Sequence, residues 1–395
     1  MAATESAVAE ATATIAQLAT IDVSDPTSHS DIIRKCNSVA SALQHPGALA
    51  LQAIASAADF PALVVLNDLG VFQKLAEGPL TAIQLAEKCG ADRWLIVRLL
   101  RVATAAGMIQ ETGPESYAAT PTSNILAIPS FAAGISLSHL SAKIIYSLRT
   151  YFKETQYRNP RNYLNGPFQS YLDTPLGSFE WLAQNEETRR DFNLFMTIQR
   201  TRGQHWTTNF NIKSRILHDS VPINPDAPLY VDVGGGLGQD LRLVKAELGD
   251  VSKGQLVLED QVSTINNIPT DLHDADFEYI PHDFFTAQPV KGARVYSFKG
   301  VLHDWPDDKA LQILSHIVAV MTPGYSRVWI LDGIVPDTGA DKVLAELNLC
   351  MMAWYGALER NREQWGELLG QAGLRVVGVQ TMDDGFGLIE AVLER

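Results

Sequence analysis

Twelve residues restrict what this chain can become more than any others: Leu229-Tyr-Val-Asp-Val-Gly-Gly-Gly-Leu-Gly-Gln-Asp240. Strand-forming residues run straight into glycines, and a helical spacing follows in Leu241, Val244 and Leu248. The pattern reads strand, tight turn, helix. Glycines let the backbone turn sharply and approach a ligand closely, and the first turn of a helix offers N–H groups with no partner of their own. Gly234, Gly236 and Gly238 are therefore a candidate nucleotide cradle, with a bare structural turn as the competing reading.

The chain beyond that turn alternates strand and helix. Strands are expected at 229–233, 255–259, 277–280, 294–298, 326–332, 374–379 and 386–392. That rhythm predicts an α/β fold, a doubly wound, mostly parallel sheet over residues 216–395, closing on an antiparallel hairpin. The second strand, Leu256-Val-Leu-Glu-Asp260, ends on two carboxylates. A carboxylate there can accept both ribose hydroxyls of a nucleoside, which nominates Asp260, with Glu259 beside it.

Residues 1–125 read as mainly helical. Val8, Ile15, Leu18 and Ile21 are spaced like a helix, Ser24-Asp-Pro26 breaks it, and a second amphipathic helix runs from about Ser30 to Leu43. These helices have apolar faces without an evident core of their own, which fits packing on a second subunit. Helices at 81–87 and 92–102, then strands at 107–110 and 117–120, form a winged helix-turn-helix pattern. Such a module suggests DNA binding, but no basic stripe accompanies it, and a net charge of −14 disfavours nucleic acid. Residues 126–215 read as a helical connector rich in aromatics, suited to wall in a flat organic substrate.

Cys36, Cys89 and Cys350 show neither metal nor disulfide spacing, so a reducing compartment is expected. No secretory signal and no run of membrane-spanning length is read, which points to a cytoplasmic protein.

The series VDVGGGLG, LED, HDFF, FKGVLHDWPDD and ALERNREQW resembles the class I S-adenosylmethionine (SAM)-dependent O-methyltransferases across roughly residues 50–395. It is most similar to the subgroup holding plant caffeate-type and fungal natural-product enzymes. The resemblance implies a Rossmann-like catalytic domain, an N-terminal dimerisation domain and a homodimer acting on a small molecule. SAM is the implied cofactor, held at Gly234, Gly236, Gly238 and Asp260, with Asp283 and Phe284 flanking the adenine and Lys299 near the carboxylate end. No metal is implied. His303 is the implied base, Asp304 a capping or orienting carboxylate, and Asp332 and Glu359 the acids that hold the imidazole. Asp is shorter than the Glu frequent at 332. Phe192 and Met196 are implied to face the acceptor.

Asn348 and Asn361 also depart from the family's usual residues. A second reading follows from the same resemblance. Some fungal proteins of this type keep the fold and the bound SAM but catalyse dehydration and pericyclic ring closure. Their connector histidine is matched by His139 in Gly134-Ile-Ser-Leu-Ser-His139, and His303–Asp304 becomes a hydrogen-bonding pair.

Overall fold

The computed structural model describes residues 5–21, 29–201, 206–217, 221–382 and 385–394. The expected break at Ser24-Asp-Pro26 lies outside them. The chain divides into two compact units, Met1–His139 and Leu140–Arg395. Where the sequence suggests boundaries at 125 and 215, the division falls inside the helix Pro129–Glu154, and the aromatic connector from 140 onward belongs to the second unit.

In the first unit, helices Glu5–Leu18, His29–Leu43 and Pro46–Ala55 precede a packed core. The core comprises helices Asp59–Asp68, Val71–Ala76, Ala82–Cys89 and Arg93–Ala105 with a small antiparallel sheet. Its strands are β1 (Leu80–Thr81), β2 (Ile109–Gly113) and β3 (Ser116–Ala119), in the order β1-β3-β2. Local chemistry starts these helices. Thr81 and Gln84 exchange bonds in a capping box, and the Asp92 carboxylate accepts the amides of Trp94 and Leu95. Leu66, Phe72, Leu85, Ile96 and Leu100 fill the centre.

The expectation that no apolar run reaches membrane-spanning length is corrected here. Pro46–Asp68 is 23 residues long with a mean hydropathy of 1.8. Its second half buries Ala62, Val64 and Leu66 in the core of this unit, whereas Pro46–Ala55 buries none of its residues within the single chain.

The second unit is built on an eight-stranded sheet. Its strands are β4 (Tyr230–Val233), β5 (Leu256–Asp260), β6 (Phe277–Pro281), β7 (Val295–Lys299), β8 (Arg327–Val335), β9 (Arg360–Asn361), β10 (Leu374–Thr381) and β11 (Phe386–Leu393). The order is β10-β11-β8-β7-β4-β5-β6, with short β9 beside β8. Strands β4 to β8 pair in parallel, while β10 and β11 form the expected hairpin and β11 runs antiparallel to β8. β4 and β7 are buried at every position, as strands covered on both faces must be. The order reverses between β4 and β7, so the crevice of this sheet opens at their C-terminal ends.

Candidate active site

The turn after β4 is shaped by its glycines. Gly234, Gly236 and Gly238 have φ of +72°, +61° and +78°, the left-handed region that side chains resist. At Gly235 the constraint is space: a Cβ would stand 2.3 Å from Leu258 Cδ1 and 2.5 Å from Asp232 Oδ2. A Cβ on Gly234 would meet Val301 at 3.0 Å and Phe284 at 3.7 Å, so the turn, the residues after β7 and Phe284 come together. Gly238 caps the helix Gln239–Leu248 without a side chain in the way.

Asp260 closes one side. Its Oδ2 accepts the Gly236 amide at 2.8 Å and its Oδ1 the Gln261 amide at 2.8 Å. The carboxylate is thus locked in place, yet each oxygen keeps a lone pair for a hydroxyl. Glu259 is not brought to this side. Side chains alternate along a strand, and the Glu259 carboxyl is buried, accepting from Gln288 Nε2 at 2.9 Å. Burial pushes its pKa up to about 7, with Asp232 adding to the shift. Glu259 serves the turn through its carbonyl, which accepts the amides of Gly234 and Gly235.

Asp283 is exposed, its Oδ1 accepting the Phe285 amide, and it presents Phe284 beside Phe285 and Trp305. Lys299, the last residue of β7, bonds Asp240 Oδ1 at 2.6 Å, and Trp206 Nε1 donates to the same oxygen at 3.0 Å. The lysine is thus tied to a buried carboxylate at the start of the helix after the turn.

Past Lys299 the chain makes a single 3-10 turn, Leu302–Asp304, which carries His303. Its Nδ1 lies 2.6 Å from Glu359 Oε1. A carboxylate oxygen only accepts, so Nδ1 carries the proton and Nε2 is the ring nitrogen not engaged by Glu359. Asp304 Oδ1 stands 3.6 Å from Nε2. Asp304 therefore flanks the imidazole; the cap of the next helix, Asp307–Val318, is Pro306. Asp332 departs from the role expected of it. It is buried, and neither of its oxygens has a hydrogen-bond partner among the described residues. The shorter side chain acts on His303 only through its field.

The electrostatics follow from this crowding. Burial works against a charged imidazole, but Glu359, Asp304 and Asp332, with the bond to Glu359, outweigh it and hold the His303 pKa well above its ordinary value. Burial raises the acids in turn, Asp304 to about 6 and Asp332 to about 7, although the imidazolium opposes both shifts.

Aromatic rings stand beside this cluster. Trp305 packs on Tyr163, Phe179, Phe284 and Phe285, and Phe179 stacks on Tyr355. Phe192 meets Phe179 edge-on at 6.2 Å. Met196, one helical turn on in Glu186–Thr201, is half-buried on the same face. His139 is exposed and ends the first unit.

Two sequence departures acquire structural work. Asn348 Oδ1 accepts the Glu359 amide at 3.0 Å, and Asn361 caps the helix Arg362–Gln371 in a box with Gln364. Neither speaks for one chemistry over another. Sequence reasoning passed over Arg360, which is buried next to Glu359 and bonds the carbonyls on either side of His303. A charged residue directly after a site carboxylate was the available signal.

A family model described as an O-methyltransferase domain matches residues 176–375, and one described as an O-methyltransferase dimerisation domain matches residues 39–128. O-methyltransferase asqD of Emericella nidulans is 36% identical over 344 residues, covering 84% of this chain and 88% of that protein. The structure of LepI in complex with SAM matches with a TM-score of 0.85 at 26% identity, over 98% of this chain and 99% of that one. A structure described as a pericyclic reaction enzyme matches with a TM-score of 0.84 at 26% identity, over 99% of this chain and 100% of that one.

Proposed function

The chain belongs to the SAM-dependent O-methyltransferase family, and from that premise we propose that it methylates a hydroxyl on a small aromatic or polyketide-like natural product, with His303 as the base. One observation carries the reading: the Nδ1–Glu359 bond at 2.6 Å, which fixes the ring and leaves Nε2 as the proton acceptor. Deprotonation of an acceptor hydroxyl needs that nitrogen unprotonated and held still.

The residues present fit the family's cofactor. The left-handed Gly234, Gly236 and Gly238 make a tight turn in which a Cβ at Gly234 would crowd Val301 and Phe284, and the Asp260 carboxylate anchored beside it can accept ribose hydroxyls. Asp283 and Phe284 are assigned to the adenine, and Lys299 to the methionine carboxylate end. Bound SAM supplies a methyl group made electrophilic by the sulfonium. Everything else falls to the protein: Glu359 orients His303, Asp304 and Asp332 stabilise the imidazolium formed on proton transfer, and Phe192 and Met196 position a flat acceptor.

We further read the working form as a homodimer. The dimerisation-domain match over residues 39–128 and the unburied apolar helix Pro46–Ala55 support it.

A second reading is favoured by a specific observation. With its pKa raised, His303 sits beside Asp304 as an imidazolium donor, an arrangement suited to dehydration and pericyclic closure; the match to the pericyclic reaction enzyme points the same way. His139→Ala then impairs product formation, whereas under methyl transfer its effect is small. Methyl-labelled SAM incubated with a panel of phenols and hydroxypyridones tests the primary reading. Label appearing in an acceptor, and lost with His303→Gln, is the expected result; conversion of an acceptor without label contradicts it.

A further inference from the structure

Arg360 is almost wholly buried and spends its guanidinium on the segment that carries His303. Nη1 donates to the Leu302 carbonyl at 3.0 Å and Nη2 to the Trp305 carbonyl at 2.9 Å. Nη2 and Nε also reach Asp307 Oδ1, at 2.7 and 3.1 Å. The plane stacks on Trp365, 5.0 Å from the ring centre. The carbonyls it holds belong to the residue before His303 and the second residue after it. Its chain neighbour Glu359 holds the ring itself. Both come from one short stretch, with β9 pairing Arg360 to Ile334 at the end of β8.

We propose that Arg360 is the positioning residue of the imidazole: Glu359 fixes the orientation of the ring and Arg360 fixes the backbone turn that presents it. The inference rests on the reading of His303 as the group that handles the proton. The planar fork is what the task requires. A turn of three residues has no hydrogen-bonded ladder to define it, and Arg360 reaches one carbonyl at its start and one just past its end. A guanidinium spans both with donors in fixed geometry, which an ammonium cannot do. Displacement of a reacting group by about 1 Å can cost about 10²-fold in rate.

The test needs no acceptor. Full-length protein is prepared with 15N-labelled histidine, the His303 signals are assigned through His303→Gln, and the imidazole is titrated by NMR. SAM affinity is measured by calorimetry on the same samples. Arg360→Lys keeps the positive charge and removes the fork, so a change in titration reports position rather than net charge. Loss of the bonded Nδ1–H signal and a fall of the His303 pKa toward the ordinary imidazole range, with SAM affinity held within about twofold, is expected. An unchanged titration and a retained Nδ1–H signal overturn the proposal. So does a loss of SAM affinity and melting temperature that accompanies the shift, because that marks a general scaffold role.

If Arg360→Lys does not fold, Asp307→Asn decides. Its side chain is 65% exposed and it frees the outer anchor of Arg360 alone. A smaller shift in the same direction supports the proposal, and none overturns it. Product analysis of the wild-type enzyme separately reads the chemistry, so failure of the methyl-transfer reading and failure of Arg360 as the positioning group leave different records.

Discussion

Glu359, Asp304 and Asp332 act on His303 in the same direction, each stabilising its protonated form against a burial that opposes it. The sign of the pH dependence follows. A base works when neutral, so the rate rises with pH through the folded pKa of His303, and that limb lies above the ordinary imidazole range near 6.5. Glu359→Gln removes the foremost of the groups that raise it, so the limb moves down in pH while maximal turnover falls. A pH–rate profile of the two proteins checks this; a wild-type limb at or below pH 6.5 contradicts the geometry. His303→Gln is expected to cost about 10²–10⁴-fold in turnover with SAM affinity intact. His303 was legible in the sequence because it stands at a strand end within a specific motif. The absence of an Asp332–His303 bond was not, since reach across a crevice depends on where β7 and β8 end relative to one another. Arg360 stands directly after a site carboxylate, but its role was hidden because its partners here are backbone carbonyls.

At the scale of elements, strand β4, its turn and the following helix act as one device. The backbone carbonyl of Glu259 receives the glycine amides and the Asp260 carboxylate receives Gly236, so β5 holds the turn that β4 begins. Gly235→Ala must push Leu258 or Asp232 aside, at a cost of about 1–3 kcal/mol, and is expected to lower the melting temperature and SAM affinity together. An unshifted melting curve refutes the packing described. Asp260→Ala removes hydrogen bonds to a charged acceptor, each worth roughly 1.5–3 kcal/mol, so SAM affinity should fall about tenfold or more by calorimetry. The expected strands were readable to within three residues of their ends because a parallel sheet buried on both faces must be spelled in apolar runs; short β9 was not. Glu259 and Asp260 were harder to tell apart. Adjacent carboxylates on a strand face opposite ways, and the sequence alone leaves open which one the sheet turns toward the ligand.

For the whole molecule, the apolar helix Pro46–Ala55 sets an expectation. Leu51 and Ile54 are 69% and 75% exposed in the single chain, and a second copy of the chain is the cover that the dimerisation-domain match supports. Sedimentation should give a dimer at micromolar concentration, and Leu51→Glu with Ile54→Glu should shift it toward monomer. A monomeric wild type contradicts the reading. The central claim is chemical, and one count tests it most directly: S-adenosylhomocysteine formed per molecule of product, measured over complete conversion of a turned-over acceptor. Methyl transfer predicts a ratio near one, and full conversion with a ratio near zero and SAM unconsumed contradicts it.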